Sequence, residues 1–466
     1  MGSVSNPQVS DRDLPNIILL VLDSVRGDRI TRQEEFNLST PTLNELAEEG
    51  ISFKNAHSTG SWTIPAHGSL FTGKLPREHG AHAKHKYFDA EPETTLAGKL
   101  SSKGYNTVGF STNPWISDEF GFATGFDEFY ELRSSLPFSG VETDPRDELD
   151  DPTIQEAVQW VISGSPIKRV VNGIYAKYFQ KLPYAPAGKM NKEILSRLSS
   201  SSKEPFFLFA NYMDAHEPYI IRNEYIEGES EMTDNILDFG WNLNSYNNSP
   251  NEKHYDQIRD IYDSSISYLD HSLRELVTEI DLENTLLLVA GDHGQALGEN
   301  DYWGHGTHLS ESSVHVPLIV HPPANSNSLR YDSSNIISLR ELPFLIFSFL
   351  GLGQEYQYDK SLIETNISIA ESFGPHQRVD NLPSYVSNVG YRMVFGESMS
   401  MLHNLEDSKR EFFLRGSSNN HNHEKQQNSL IMYENEIIKN TPKKNFNKKE
   451  NIAEGTKKRL DDLGYL

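Results

Sequence analysis

The chain has 466 residues and no cysteine, and its 66 acidic side chains outnumber 42 basic ones for a formal charge of −24. That balance excludes general nucleic-acid binding, which needs a basic stripe against the phosphates. The missing thiols exclude disulfides, thiolate metal sites and a cysteine nucleophile.

The length suits one large α/β domain and a smaller unit. No basic, apolar and small-residue leader opens the chain, and its longest apolar runs are of strand length, too short to cross a bilayer. The expectation is a soluble, cytoplasmic protein without a transmembrane segment and of unknown oligomeric state. After a polar leader, Ile17–Leu22 is a continuous apolar run, as in a parallel strand buried on both faces, and it ends in Asp23-Ser24. A helix is expected over Thr40–Glu49 with Pro41 in its first turn, then a short extended piece over Ile51–Ala56.

Next comes Ser61-Trp62-Thr63-Ile64-Pro65-Ala66-His67-Gly68-Ser69-Leu70-Phe71-Thr72-Gly73. Pro65 presets a first helical turn, so Thr63 stands at or just before a helix N-terminus, where N–H groups and the dipole favour an anion. Taken alone, Thr63 reads as an ordinary N-cap. Leu96–Lys103 is an amphipathic helix closed by Gly104, and Asn106–Phe110 a second buried strand. Residues 132–204 are polar and irregular, with helical fragments at Thr153–Ile162 and Met190–Ser199, and read as an insertion or cap. Pro205–Tyr212 is a third buried strand ending in Asp214-Ala215-His216; an Asn- and Ser-rich loop runs on to Pro250. Asp256–Ile280 is a long amphipathic helix, and Leu286–Ala290 a fourth strand delivering Gly291-Asp292-His293-Gly294. A glycine-rich loop with His305 and His308 leads to the strand Val316–Val320. Leu339–Leu350 is helical, Ile367–Ala370 and Tyr391–Val394 are strands of a small β-rich part, and Gly416–Asn451 reads as loop or disordered.

Strand, helix, strand in this rhythm means an α/β fold with a central, mostly parallel sheet and helices on both faces. Its C-terminal edge would gather Asp23, His216, Asp292 and His293, with Thr63 beside them. Two carboxylates and an imidazole make a mixed O/N site for one divalent cation, Mn, Zn, Ca or Mg, and the Thr63 hydroxyl could complete it. His216, His305 or His308 could bind the transferred group or protonate a leaving oxygen. Singly, each histidine reads as a hydrogen-bonded structural residue.

In this order the motifs resemble the sulfatase family of the alkaline-phosphatase superfamily. The Pro15–Asp23 opening, the Thr63–Gly80 stretch, the strand ending in Asp-x-His and the block Asn284–Pro317 are similar to that family's diagnostic segments. So is the ending Leu463-Gly464-Tyr465-Leu466. The resemblance implies the superfamily fold over residues 14–350, with 132–204 as the insertion, and a C-terminal α+β subdomain over 351–466 containing the polar segment 416–451. Sulfatases resembling this chain carry a Cys or Ser, converted to formylglycine, where Thr63 stands, and an Arg where His67 stands. Threonine is not a recognised precursor of that aldehyde. Ser24 replaces a frequent Asp ligand, and Gly109–Asn113 replaces a segment with an anion-holding Lys. The relatives with an unmodified threonine act on phosphorus, and a second set of zinc ligands is not evident.

The reading is therefore a metal-dependent ester hydrolase or transferase. Asp23, Asp292, His293 and Thr63 hold the metal, Thr63 is the nucleophile, and His67, His216, His305 and His308 are the substrate-side candidates. Phosphoryl chemistry, on a phosphate mono- or diester, is slightly favoured over sulfate esters. The substrate would be an anionic ester: a sulfated or phosphorylated glycan, a lipid head group or a nucleotide. The alternatives are a sulfatase working without formylglycine, or a non-catalytic glycan-binding protein that keeps the fold.

Overall fold

The computed structural model describes residues 14–133 except 37, 154–219 except 164, 179–183 and 201–204, and 225 alone. It further describes 252–324 except 300 and 301, 332–353, 366–376, 386–415, 423–444 and a few later positions. The expected loop up to Pro250 and the Leu463–Leu466 ending lie outside the described residues.

The first strand, β1 (Asn16–Leu22), is central because its side chains are apolar on both faces. Ile17, Leu19 and Val21 enter one core; Ile18, Leu20 and Leu22 enter the other. Helix α1 (Pro41–Glu49) starts on its proline and runs to β2 (Ile51–Ser52). Helix α2 (Thr63–Thr72) is buried along its whole length and closes on Gly73 at φ 71°, a left-handed C-terminus that glycine adopts without strain. After α3 (Leu96–Ser101) come β3 (Asn106–Ser111) and β4 (Glu128–Glu131). Helices α4 (Ile154–Ile162), α5 (Pro166–Tyr178) and α6 (Ala187–Ser200) precede β5 (Phe206–Tyr212). Then α7 (Tyr255–Val277), β6 (Thr285–Gly291), β7 (Leu318–His321) and α8 (Leu342–Phe349) follow.

The seven-stranded sheet has the order β2-β7-β6-β1-β5-β3-β4. Strands β6, β1, β5, β3 and β4 are parallel, whereas β7 runs antiparallel to β6 and β2 antiparallel to β7. Helices α2, α3 and α8 cover one face and α1, α6 and α7 the other. No helix among the described residues is long and apolar enough to cross a membrane.

Two expectations change. The first concerns the stretch taken as an insertion. Helix α6 is a layer of the main sandwich: Met190 and Ile194 are buried against the sheet, and Asn191 donates to Ser272 O of α7 at 2.7 Å. Ala187, Met190 and Ile194 are buried and Leu195 and Leu198 half-buried there, and the polar residues between them hide this core face in the sequence. The second is Gly416–Asn451, where α9 (His423–Asn440) replaces the expected loop. Its Leu430, Tyr433 and Ile437 bury one stripe against a four-stranded antiparallel sheet: β8 (Ser368–Ser372), β9 (Tyr391–Phe395), β10 (Met399–Asn404) and β11 (Arg410–Leu414). Glu434, on the same side, takes Arg392 Nη1 at 3.2 Å and Arg410 Nη2 at 3.1 Å. Composition reads this segment as polar; its acidic Glu434 finds Arg392 and Arg410 42 and 24 residues upstream, and its apolar stripe meets residues as far back as Leu75.

The C-terminal sheet is fastened to the main domain beside α2. Glu371 N bonds Thr59 O at 2.8 Å, and His57 stacks on Phe395 with centroids 4.1 Å apart. The last described residue, Leu460, is buried in the α2-side core.

Candidate active site

Four neighbouring parallel strands end at one edge of the sheet, and each delivers a polar residue there. The chain leaves β1 at Asp23, β6 at Asp292-His293, β5 at His216-Glu217 and β3 at Asn113, all buried. Helix α2 brings Thr63 to the same place from its N-terminus.

Asp23, Asp292 and His293 each offer a donor atom, and the three atoms lie within 4.8 Å of one another. His293 Nε2 is 3.4 Å from Asp23 Oδ1 and 3.5 Å from Asp292 Oδ2. His293 Nδ1 donates to Gly294 O at 2.9 Å, so Nε2 is the nitrogen turned to the carboxylates. Thr63 Oγ1 stands 3.4 Å from that Nε2. Asn113 Nδ2 donates to Asp23 Oδ2 at 2.8 Å and lies 3.4 Å from Thr63 Oγ1.

Burial raises Asp292 to about 7, helped by the neighbouring charge of Asp23. The same burial would raise Asp23, but the His293 bond, the charges of His216 and His293 and the Asn113 bond outweigh it and hold Asp23 well below the usual range. Burial would also lower His293; the two carboxylates raise it to about 9. Two carboxylates and one imidazole thus share a small buried space, and each shifts the others' charge. The donor set fits a divalent cation: two buried carboxylates and an imidazole converge, and Asp292 Oδ2 takes no hydrogen bond.

Ser24, in the place of the frequent Asp ligand, turns the chain with φ 62°, uncommon for a residue with a side chain. Its N–H donates to Asp292 Oδ1 at 3.1 Å and its hydroxyl to Asp23 Oδ1 at 3.2 Å, so it positions both carboxylates. Tyr262 pins this turn, donating to Ser24 O at 2.8 Å and accepting from Arg26 N at 3.0 Å. Tyr262→Phe is expected to lower unfolding stability by about 2–4 kcal/mol, since two buried backbone groups lose their partner. Metal affinity should fall with it; urea unfolding and metal titration on one preparation check both.

Two expected site residues are held mainly by aromatic neighbours. His67, one turn into α2, lies behind the cluster: its Nδ1 donates to Thr63 O at 3.0 Å, and its ring meets Phe71, Phe122 and Phe209 edge-on. Burial lowers it to about 4, so its ring is neutral, and its Nδ1 also lies 3.5 Å from Asp292 Oδ2. His308 packs between Tyr302 and Tyr391, ring centroids 5.7 and 5.0 Å away, in neither donor cluster.

His216 and His305 do converge, joined by Glu217, which was not singled out although it follows His216 directly. His305 Nδ1 is 2.8 Å from Gln295 Oε1 and 3.1 Å from Glu217 Oε1. The His305 ring lies 4.6 Å from His293, 5.0 Å from His216 and 5.5 Å from His376, centroid to centroid. Beyond His376 stand Trp62 and Trp115, with Lys86 Nζ 4.6 Å over the Trp115 ring. Burial lowers Lys86 to about 8. Asn113, Gln295 and His376 were also missed, because an amide or a distant histidine carries no signal before the fold brings it in.

The fold and this edge define an α/β protein of alkaline-phosphatase and sulfatase type. A sulfatase profile matches residues 15–343, and the chain belongs to the sulfatase family. It is 23% identical over 340 residues to an arylsulfatase of Clostridium perfringens (strain 13 / Type A), covering 67% of this chain and 69% of that one. To the choline-sulfatase of Rhizobium meliloti (strain 1021) it is 24% identical over 335 residues, covering 66% and 63%. About a third of each relative's length therefore lies outside the match. The phosphonate monoester hydrolase of Silicibacter pomeroyi has the same fold, with TM-score 0.59, 14% identity and coverage of 91% and 95%. So does a protein solved with its substrate D-glucosamine-2-N,6-O-disulfate, with TM-score 0.57, 16% identity and coverage of 91% and 98%.

Proposed function

We propose that this protein is a metal-dependent hydrolase or transferase of an anionic ester, with Thr63 as its nucleophile. The observation that carries the reading is the position of Thr63 Oγ1. It lies at the N-terminus of α2, 3.4 Å from both His293 Nε2 and Asn113 Nδ2, beside the buried donors of Asp23 and Asp292. Asp23, Asp292, His293 and Thr63 would hold one divalent cation, Mn, Zn, Ca or Mg, which would supply Lewis-acid stabilisation and favour the ionised hydroxyl.

Thr63 Oγ1 forms a bond to phosphorus or sulfur and its proton passes to solvent. The ester oxygen leaves with the bonding pair and takes up a proton. Water, or an acceptor alcohol, then breaks the threonyl ester, returning the Thr63 hydroxyl and releasing the acid. The N–H groups at the start of α2 and the Asn113 amide face the oxygens that gain charge, and such preorganised dipoles supply a large part of the acceleration in sites of this kind. His216, Glu217 and His305 border the space next to His293, on the side of the substrate.

Phosphorus is favoured over sulfur because a threonine stands at the nucleophile position of a chain without cysteine. Sulfate esters are the second reading, supported by the family itself and by the names of the curated relatives. The bound disulfated sugar of one structural neighbour makes a glycan the preferred carrier. Nitrophenyl phosphate, phosphate diester and sulfate, each assayed with Mn, Zn, Ca or EDTA, decide between them. Diester turnover abolished by EDTA and restored by metal is expected; sulfate turnover alone would move the reading to sulfur, and silence with all three, metal bound, would overturn it for these ester classes.

A further inference from the structure

We infer that Lys84, Lys86 and Lys443 form a separate anion-binding subsite outside the reaction centre, which takes a second sulfate or phosphate group of the same substrate molecule. Its part in ester turnover rests on the function proposed above; the subsite itself stands on where the lysines lie and on their charge.

The segment Phe373-Gly374-Pro375-His376 leads outward from the reaction centre. At its inner end the His376 ring lies 5.5 Å from that of His305, and a Cβ on Gly306 would come 2.3 Å from His376 Nδ1. At its outer end two other segments close on it. His82 and His85 exchange backbone hydrogen bonds of 2.8 Å, and the tight turn between them carries Lys84. The His82 ring stacks on Phe373 with centroids 4.2 Å apart, and a Cβ on Gly374 would stand 3.9 Å from Lys84 Cε. Lys443 arrives from the chain beyond α9, with its Nζ 5.2 Å over the Phe373 ring. Its neighbour Lys444 holds that chain in place, bonding Arg77 O through its N–H at 2.8 Å. Lys86 sits further in, over Trp115, whose ring meets that of Trp62 edge-on at 6.1 Å. Trp62 directly precedes Thr63.

These lysines gather in a chain whose formal charge is −24. Among the described residues, none of the three ammonium groups pairs with a carboxylate. No acidic residue lies between Gly80 and Asp89, and Asp89 is turned to His85 Nε2 at 3.4 Å. Burial lowers Lys86 to about 8, and burial with the charge of Lys443 lowers Lys84. Holding unpaired ammonium groups together and partly out of water costs stability, and a bound anion removes that cost. The faces of Trp115 and Phe373 stabilise the cations without neutralising them, so their field still reaches an approaching anion. An ester group at Thr63 would use the metal and the N–H groups of α2, which leaves the lysines for another group. The rings of Trp62 and His376 join the two places, so one substrate meets both.

The test is binding to the whole chain carrying Thr63→Ala, loaded with Mn²⁺, by isothermal titration calorimetry. The probes are inositol phosphates with one, two or three phosphates and heparin disaccharides with one, two or three sulfates. A second anionic group should tighten binding about tenfold in at least one series, and the series that gains identifies the group. Lys84→Ala/Lys443→Ala, at two exposed positions, and Lys86→Ala should each remove most of that gain while the one-group probe stays within about twofold. Lys86→Arg, which keeps the charge, should retain it. Equal binding of one- and two-group probes in both series would overturn the subsite, as would a gain that survives without all three lysines. So would an equal loss in Lys168→Ala, an exposed lysine on α5, because overall charge would then decide. No lysine-dependent gain, with Thr63-dependent turnover intact, would sink this inference and spare the proposed function; such a gain in a chain without ester turnover would do the reverse.

Discussion

Thr63→Ala is expected to lower ester turnover by at least about 10³-fold while the chain stays folded and keeps its metal. Removing the nucleophile of a covalent mechanism costs more than removing any one stabilising donor, itself worth about 10²–10³. The fold should tolerate the change. Thr63 is buried, but Oγ1 has only the long contacts of 3.4 Å to His293 and Asn113, so no short hydrogen bond is lost. Thr63→Ser restores the hydroxyl on a less restrained side chain and should recover part of the rate. Steady-state kinetics of wild type and both variants, with metal content and circular dichroism measured alongside, check this. Alanine turning over within tenfold of wild type would exclude Thr63 as nucleophile.

The second large effect is loss of stability in mild acid. The cores around α2 hold several neutral histidines. His57 accepts from Arg415 Nη2 at 3.2 Å through Nε2 and faces Ser368 Oγ at 3.0 Å through Nδ1, an arrangement that only the neutral ring satisfies. Burial lowers His57 to about 4 even though Glu311 pulls the other way, and burial with Lys443 lowers His82 to about 3. His79 and His376 are lowered in the same sense, chiefly by burial. The unfolded chain takes up these protons near pH 6.5 and the folded chain does not. Stability is therefore complete above about pH 6.5 and falls as pH drops through the window down to about 4. For His57 alone the full displacement is worth about 3 kcal/mol. Calorimetric Tm should drop steeply from pH 7 to pH 4.5, and His57→Asn should flatten part of the slope. A Tm that holds level across that interval would show that these rings do not stay neutral.

Much of the site was legible because its residues sit at strand ends. An apolar run such as Ile17–Leu22 must be buried on both faces, so the polar residue that ends it, Asp23, falls at the sheet's edge. The same logic placed His216, Asp292 and His293, and Pro65 marked the start of α2. Position along α2 does not tell what His67 meets: its ring packs edge-on against Phe71, Phe122 and Phe209, while its Nδ1 lies 3.5 Å from Asp292 Oδ2. Helix α9 was missed because its stripe of three apolar residues is narrow and its acidic Glu434 finds its partners on β9 and β11.

Sequence by itself determined the α/β architecture, the family and which strand and helix ends carry Asp23, Thr63, Asp292 and His293, because these follow from runs of buried residues and from local motifs. Only the tertiary structure decided what those side chains face. Asn113 at Asp23 and Thr63, Gln295 and Glu217 at His305, and Tyr262 at the Ser24 turn come from separate strands, loops and helices. Their partnerships exist only once parallel strands distant in sequence end at the same edge. That convergence also set His216 and His305 beside Glu217, with one buried donor atom of each within 4.8 Å of the others.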